Sequence, residues 1–165
     1  SIQEMTTLSA KLKWPNDVLI EGAKCAGILL ETLSNEAQEI GLAIGIGINL
    51  WHHPTDTPYP AISLNAAVGV SPTTRDMIRV LALHFDRLRV LWESRGFSAI
   101  RTLWLEQAYG IGKEITAVLT NESLTGVFRD IDAEGRLLLE KSDGSIHLIA
   151  AGDIFFGATK GKIND

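Results

Sequence analysis

Between Ile40 and Leu50 every second residue is bulky and aliphatic. Ile40, Leu42, Ile44, Ile46, Ile48 and Leu50 alternate with Gly41, Ala43, Gly45, Gly47 and Asn49. Strand side chains point alternately to opposite faces, so this pattern predicts a strand with one crowded face and one nearly bare. The crowded face is expected to line a core. Glycine weakens a strand, so its repetition on the other face needs a reason. Two remain open: a flat ligand lying on the backbone with the Asn49 amide at its rim, or a helix packed closely against the sheet. Upstream, residues 11–14, 17–20 and 24–31 read as three further strands, with a turn at Glu21-Gly22-Ala23. A turn centred on Glu21-Gly22 pairs Leu19 with Lys24. It sets Asp17 and Lys24 on one face, about 7 Å apart on the diagonal. Ser34-Asn35-Glu36-Ala37 is the expected polar turn into the glycine-rich strand, so residues 11–50 form an antiparallel meander. Residues 1–10 are the expected end of a helix leading into it.

Past a loop at 51–60, WHHPTDTPYP, the period changes. Residues 63–69 predict a short helix closed by Gly69. Met77, Ile78, Leu81, Phe85, Leu88, Leu91 and Trp92 recur at three and four, predicting a long helix capped by Ser71 or Thr73 with Pro72 in its first turn. Its apolar stripe is expected to cover one face of the sheet. Arg75, Arg79, Arg87, Arg89 and Arg95 fall mostly elsewhere and read as its solvated side, and His84 as a surface histidine. Gly96 breaks this helix. Phe97, Ile100, Leu103 and Trp104 predict a shorter one ending near Tyr109-Gly110. Residues 113–119, 124–131, 136–140, 145–149 and 153–156 then predict five short strands making a small barrel. The expected class is α+β, with domains at 1–110 and 111–157 and a frayed tail at 158–165.

Composition narrows the function classes. The 165 residues carry a formal net charge of −5 and are 45% hydrophobic and 21% charged, as expected for an ordinary globular protein. There is no basic cluster to argue for nucleic acid or a membrane surface. The longest apolar run, around 40–51, is too short to span a bilayer. Cys25 is the only cysteine, so no internal disulfide can form, which suits the cytoplasm. Within its strand Cys25 reads as a small buried hydrophobe and not as a nucleophile. Adjacent His52 and His53 would point apart, so no metal site is expected from them.

The polar residues of the meander carry the chemistry. Lys13-Trp14-Pro15-Asn16-Asp17 packs two opposite charges around a rigid proline kink. Lys24 and Ala26-Gly27-Ile28-Leu29 with Glu31 follow, then Gly45-Ile46-Gly47-Ile48-Asn49. In this order and spacing the three motifs resemble those of the biotin protein ligases, the biotin–[acetyl-CoA-carboxylase] ligase family, and the similarity runs on to about Phe156. The resemblance implies a sheet like that of class II aminoacyl-tRNA synthetases, followed by a barrel of the Src-homology-3 type. It implies ATP, biotin and magnesium as substrates and cofactor, and a biotin carboxyl carrier protein as acceptor. Biotin's carboxylate attacks the α-phosphate of ATP, and a carrier lysine then attacks the biotinyl-5′-adenylate.

The resemblance assigns Lys24 to the meeting point of biotin carboxylate and adenylate phosphate, a role that suits a compact ammonium. Asp17 would orient Lys24 or assist deprotonation of the acceptor lysine. Lys13 would help neutralise phosphates, Asn16 and Asn49 would bind adenylate or metal, and Gly27, Gly45 and Gly47 would admit ligand to the backbone. Ala61 stands where some relatives stack an aromatic ring on adenine, and Arg129 reads as a surface residue. Members of the family carry a glycine- and arginine-rich loop upstream of the first motif. Nothing in residues 1–12 resembles it, so the chain is expected to be part of a longer ligase and inactive alone. Two other readings stand beside this one: lipoate or octanoyl transfer on the related fold, and a non-catalytic protein-binding or dimerisation remnant. In some relatives strands corresponding to 35–48 extend a sheet across a homodimer.

Overall fold

The structure, a computed structural model, describes residues 1–34 and 39–157. It divides into two compact units, Ser1–Arg89 and Val90–Asp165. The expected turn at 35–37 and the tail at 158–165 lie outside the described residues.

In the first unit α1 (Ile2–Thr6) leads into β1 (Ala10–Lys13), β2 (Asp17–Ile20), β3 (Ala23–Ser34) and β4 (Glu39–Ile48). These strands form one antiparallel sheet in the order β1-β2-β3-β4. Glu21 and Gly22 have φ of 51° and 82°, the left-handed pair that a two-residue hairpin loop requires. The loop closes on the pair Ile20 and Ala23, and Leu19 faces Lys24 as the sequence predicts. The register then shifts: Val18 faces Ala26 and Asp17 faces Gly27, so Cys25 is the extra residue of a bulge.

Ile2, Ile20, Cys25, Leu64 and Met77 are the buried centre of this unit, with Val18, Ile48, Leu50 and Ile62 packed around them. Only the last part of the β4 aliphatic face reaches that core. Leu42, Ile44 and Ile46 are 54%, 41% and 36% exposed, and Leu29, Leu30 and Leu33 of β3 are exposed as well. The expectation that the whole face lines a core is therefore corrected. β3 and β4 have 12 and 10 residues against four each in β1 and β2, so at about 3.3 Å per residue their hairpin outruns the elements that cover its base.

Two shorter corrections concern the helices. After α2 (Leu64–Val68), α3 spans Thr74–Arg95. Its cap is Thr73, whose Oγ1 accepts from Asp76 N at 3.2 Å and donates to the Asp76 carboxylate at 2.6 Å, so Pro72 precedes the helix and is not in its first turn. Met77 is its one buried residue, while Ile78, Phe85, Leu88 and Trp92 are exposed. The stripe does not cover a sheet face along its length. Near its middle, His84 Nε2 lies 2.5 Å from the Glu4 carboxylate of α1.

In the second unit α4 (Phe97–Gln107) precedes β5 (Glu114–Val118), β6 (Ser123–Ile131), β7 (Leu137–Glu140), β8 (Ile146–Ile149) and β9 (Asp153–Phe156). All five expected strands form. They make an antiparallel sheet in the order β8-β7-β6-β5-β9. Its edges β8 and β9 are not paired to each other among the described residues, so the expected barrel is an open sheet. Alternation buries Ile115, Ala117, Phe128, Leu137, Leu139 and Ile154 on one face. Arg101 of α4 donates to the Ile131 carbonyl at 2.6 Å and to the Asp130 carboxylate at 2.5 Å, fastening the helix to β6. Arg129 pairs with Glu140 on the neighbouring strand at 2.5 Å.

Candidate functional site

The first motif is a connection between two paired strands. β1 ends at Lys13 directly opposite Asp17, where β2 begins. Trp14, only 4% exposed, anchors the intervening turn, and the Trp14–Pro15 peptide bond is cis. Asn16 then bridges forward to β3: its Nδ2 donates to the Ile28 carbonyl at 2.6 Å, and its own carbonyl accepts from Ile28 N at 2.9 Å.

Asp17 is 8% exposed and charged groups flank it. Lys24 Nζ lies 2.5 Å from Oδ1 and Lys13 Nζ lies 3.7 Å from Oδ2. The Lys24 contact is close in distance but poorly directed, since Oδ1 keeps no well-aligned hydrogen bond. Burial pulls the Lys24 ammonium down, but its hydrogen-bonding and charge interactions with Asp17, aided by Tyr59, outweigh that and hold its pKa above the ordinary lysine value. Lys24 is a permanent cation at neutral pH.

The main chain of Lys24 is clamped too. Its N–H donates to the Pro60 carbonyl at 2.8 Å and its carbonyl accepts from Ile62 N at 3.0 Å. Asn49 closes the arrangement, with Nδ2 donating to the Lys24 carbonyl at 3.4 Å and to the Ile62 carbonyl at 3.2 Å. Both amide protons of Asn49 are thus directed into the protein, which leaves its carbonyl oxygen as the group to offer a ligand.

Two adjoining depressions share Lys24, Gly27 and Gly47. One extends past Gly45 towards Asn16, the other past Asn49 towards Thr57, Tyr59 and Ala61. A Cβ on Gly47 would meet nothing within 4 Å, and one on Gly45 only the Leu29 side chain and carbonyl at 3.7 Å. Packing of a described helix against the sheet therefore does not account for Gly45 and Gly47. Gly27 differs: a Cβ there would stand 3.2 Å from Lys24 Cε and 3.3 Å from Nζ. Its smallness gives the lysine its place.

Every expected site residue therefore lies in or beside one site: Lys13, Asn16, Asp17, Lys24, Gly27, Gly45, Gly47 and Asn49. Tyr59 was missed. Its ring faces both Lys13 Nζ at 5.3 Å and Lys24 Nζ at 5.4 Å. The available signal was an aromatic residue fixed between Pro58 and Pro60. Cys25 is fully buried, and burial pushes its thiol up to about 11, so it is inert. Among the described residues no three His, Cys, Asp or Glu side chains gather to hold a metal. No helix among them is long and apolar enough to cross a membrane.

Comparison with known proteins gives these positions a context. Residues 1–50 match the biotin/lipoate A/B protein ligase family and residues 110–157 match the biotin protein ligase C terminal domain. The bifunctional ligase/repressor BirA of Bacillus subtilis is 37% identical over 160 residues, covering 94% of this chain and 49% of the relative. The biotin–[acetyl-CoA-carboxylase] ligase of Paracoccus denitrificans is 34% identical, covering 88% of this chain and 62% of the relative. The chain thus spans 49% and 62% of the length of these two relatives. The fold is that of a biotin protein ligase from Aquifex aeolicus in complex with biotin and ATP, with a TM-score of 0.79 at 24% identity over 93% of this chain and 64% of the other. Matches at both ends of the chain, together with a relationship at 37% identity that spans 94% of it, place it in the biotin protein ligase family.

Proposed function

We propose that this chain carries the centre at which an ATP-dependent biotin–protein ligase activates biotin and passes it to a carrier lysine. The observation behind this reading is the position of Lys24, a cation at the junction of two depressions that share the glycine floor. Forming an acyl adenylate requires a carboxylate oxygen to approach the α-phosphorus of ATP, with loss of pyrophosphate. At 4 Å two such anions repel by about 4 kcal/mol at an effective dielectric of 20. An ammonium already placed between them removes most of that barrier without reorganising. We assign biotin to the depression beside Gly45 and the adenylate to the one beside Asn49. Lys13 adds a second positive charge.

In the second step the carrier amine attacks the acyl carbon, the bond to AMP breaks, and the amine gives up a proton. Asp17 is the nearest base, but it is nearly buried and engaged by Lys24. Its position favours orienting Lys24 over proton abstraction. Magnesium accompanies ATP, and the described residues build no protein cage for it. Phosphate oxygens and water would supply ligands to it. The acceptor is a biotin carboxyl carrier protein, and the buried reduced thiol suits the cytoplasm. We assign residues 111–157 to a separate C-terminal module.

The test is pyrophosphate release with biotin or lipoate and ATP, measured on this chain and on the full-length protein, with Lys24→Ala as control. Biotin-dependent release by the full-length protein that disappears in the control supports the assignment. Lipoate is included because the family matched by residues 1–50 covers both acids. Preference for lipoate, or turnover that survives Lys24→Ala, refutes it.

A further inference from the structure

We infer that Tyr59 is the positioning residue that holds the Lys13 and Lys24 ammonium groups together over the cleft, an inference that rests on the ligase reading for its consequence. Two like charges converge on Asp17, one per carboxylate oxygen, at 3.7 and 2.5 Å. One carboxylate cannot neutralise both. The second attractive element is the Tyr59 ring, with both nitrogens 5.3 to 5.4 Å from its centroid, inside the range in which an aromatic face attracts a cation. Asp17 and Tyr59 thus hold the same two side chains without cancelling the pair's net positive charge.

The backbone that carries the ring is fastened on both sides. The Tyr59 carbonyl accepts from Thr57 Oγ1 at 2.6 Å, and the next residue, Pro60, accepts the Lys24 N–H at 2.8 Å. Ala61 forms a parallel bridge with Lys24. The returning loop and the catalytic lysine therefore share one backbone clamp, which keeps the Tyr59 main chain beside that of the lysine. This gives the 51–60 loop a definite function. It fixes the charge pair before an anionic substrate arrives, and affinity for ATP should depend on the aromatic face.

The experiment compares Tyr59→Phe, which keeps the ring, with Tyr59→Leu, which removes it. Tyr59→Met serves as the non-aromatic variant if the leucine form does not fold. Two quantities are measured on the full-length protein: KM for ATP against kcat, and the titration of Lys24 after reductive ¹³C-methylation, its resonance assigned by its loss in Lys24→Arg. The leucine variant is expected to raise KM for ATP about tenfold, from two cation–π contacts, and to titrate Lys24 at lower pH. The phenylalanine variant keeps the ring but loses the phenol oxygen that also interacts with Lys24, so it should stay within about twofold of wild type in KM while the Lys24 titration falls by less than in the leucine variant. An unmoved Lys24 titration and an unchanged KM in the leucine variant overturn the role. If the titration moves but no form of the protein activates biotin, the positioning role stands and the ligase reading falls.

Discussion

Adding one methyl group to the cleft floor separates ligand space from packing space. In Gly47→Ala the new Cβ meets no atom within 4 Å, and alanine is favoured over glycine inside a strand by about 0.5–1 kcal/mol. The variant should therefore be as stable as wild type or slightly more so. A ligand lying on that floor must ride over the methyl, and overpacking of this kind costs about 1–3 kcal/mol, or roughly fivefold to 150-fold in affinity. Gly27→Ala is the comparison. Its Cβ would stand 3.2 and 3.3 Å from Lys24 Cε and Nζ and 3.6 Å from Asp17 Oδ1, so the flexible end of the lysine must yield by a few tenths of an ångström. Stability should again change little. Turnover should fall more than biotin affinity, because displacement of a positioned charge acts on the reacting atoms. Thermal unfolding measures the first quantity and calorimetric titration with biotin and ATP the second, both on the full-length protein. A Gly47→Ala variant destabilised by more than about 1 kcal/mol would mean that protein atoms use that space. One that binds both ligands with wild-type affinity would mean that the glycine face is not their bed.

Three further outcomes are expected. The Lys24–Asp17 pair raises the lysine pKa above its ordinary value of 10.5; its stabilisation is therefore full below that value and is lost as pH rises through the higher folded one. In Asp17→Asn that carboxylate no longer raises Lys24, so the loss of stability above pH 10.5 should shrink or vanish; urea unfolding at a series of pH values reads both slopes, and parallel slopes would refute the pairing. Cys25, fully buried with its thiol near 11, should resist iodoacetamide at neutral pH until urea unfolds the chain, and rapid labelling of native protein would show the bulge to be open. Phe128→Ala, emptying a fully buried site in the second sheet, should cost about 3–5 kcal/mol in the unfolding of Val90–Asp165, and a loss below about 1 kcal/mol would mean that this core is not closely packed.

Much of this was legible in the sequence because it depends on neighbours along the chain. The Glu21-Gly22 loop sets the pairing of Leu19 with Lys24, and through it brings Asp17 and Lys24 near each other. Alternation and turn residues are equally local, and they located all five strands of the second sheet. The remainder needed three dimensions. Period two assigns Leu42, Ile44 and Ile46 to one face but cannot say whether anything covers it, and in the described structure they are exposed. The extra residue at Cys25 moves Asp17 opposite Gly27; a diagonal of about 7 Å between strand positions allows the Asp17 and Lys24 side chains to meet, but only the folded arrangement shows that they do, in a 2.5 Å ion pair. Tyr59 lies far from Lys13 in sequence and enters the site only because the loop folds back onto the Lys24 backbone. The order of motifs determined which chemistry the chain is suited to. Only the tertiary structure decided how its charges are held, because attraction between side chains depends on distances that chain order alone does not set.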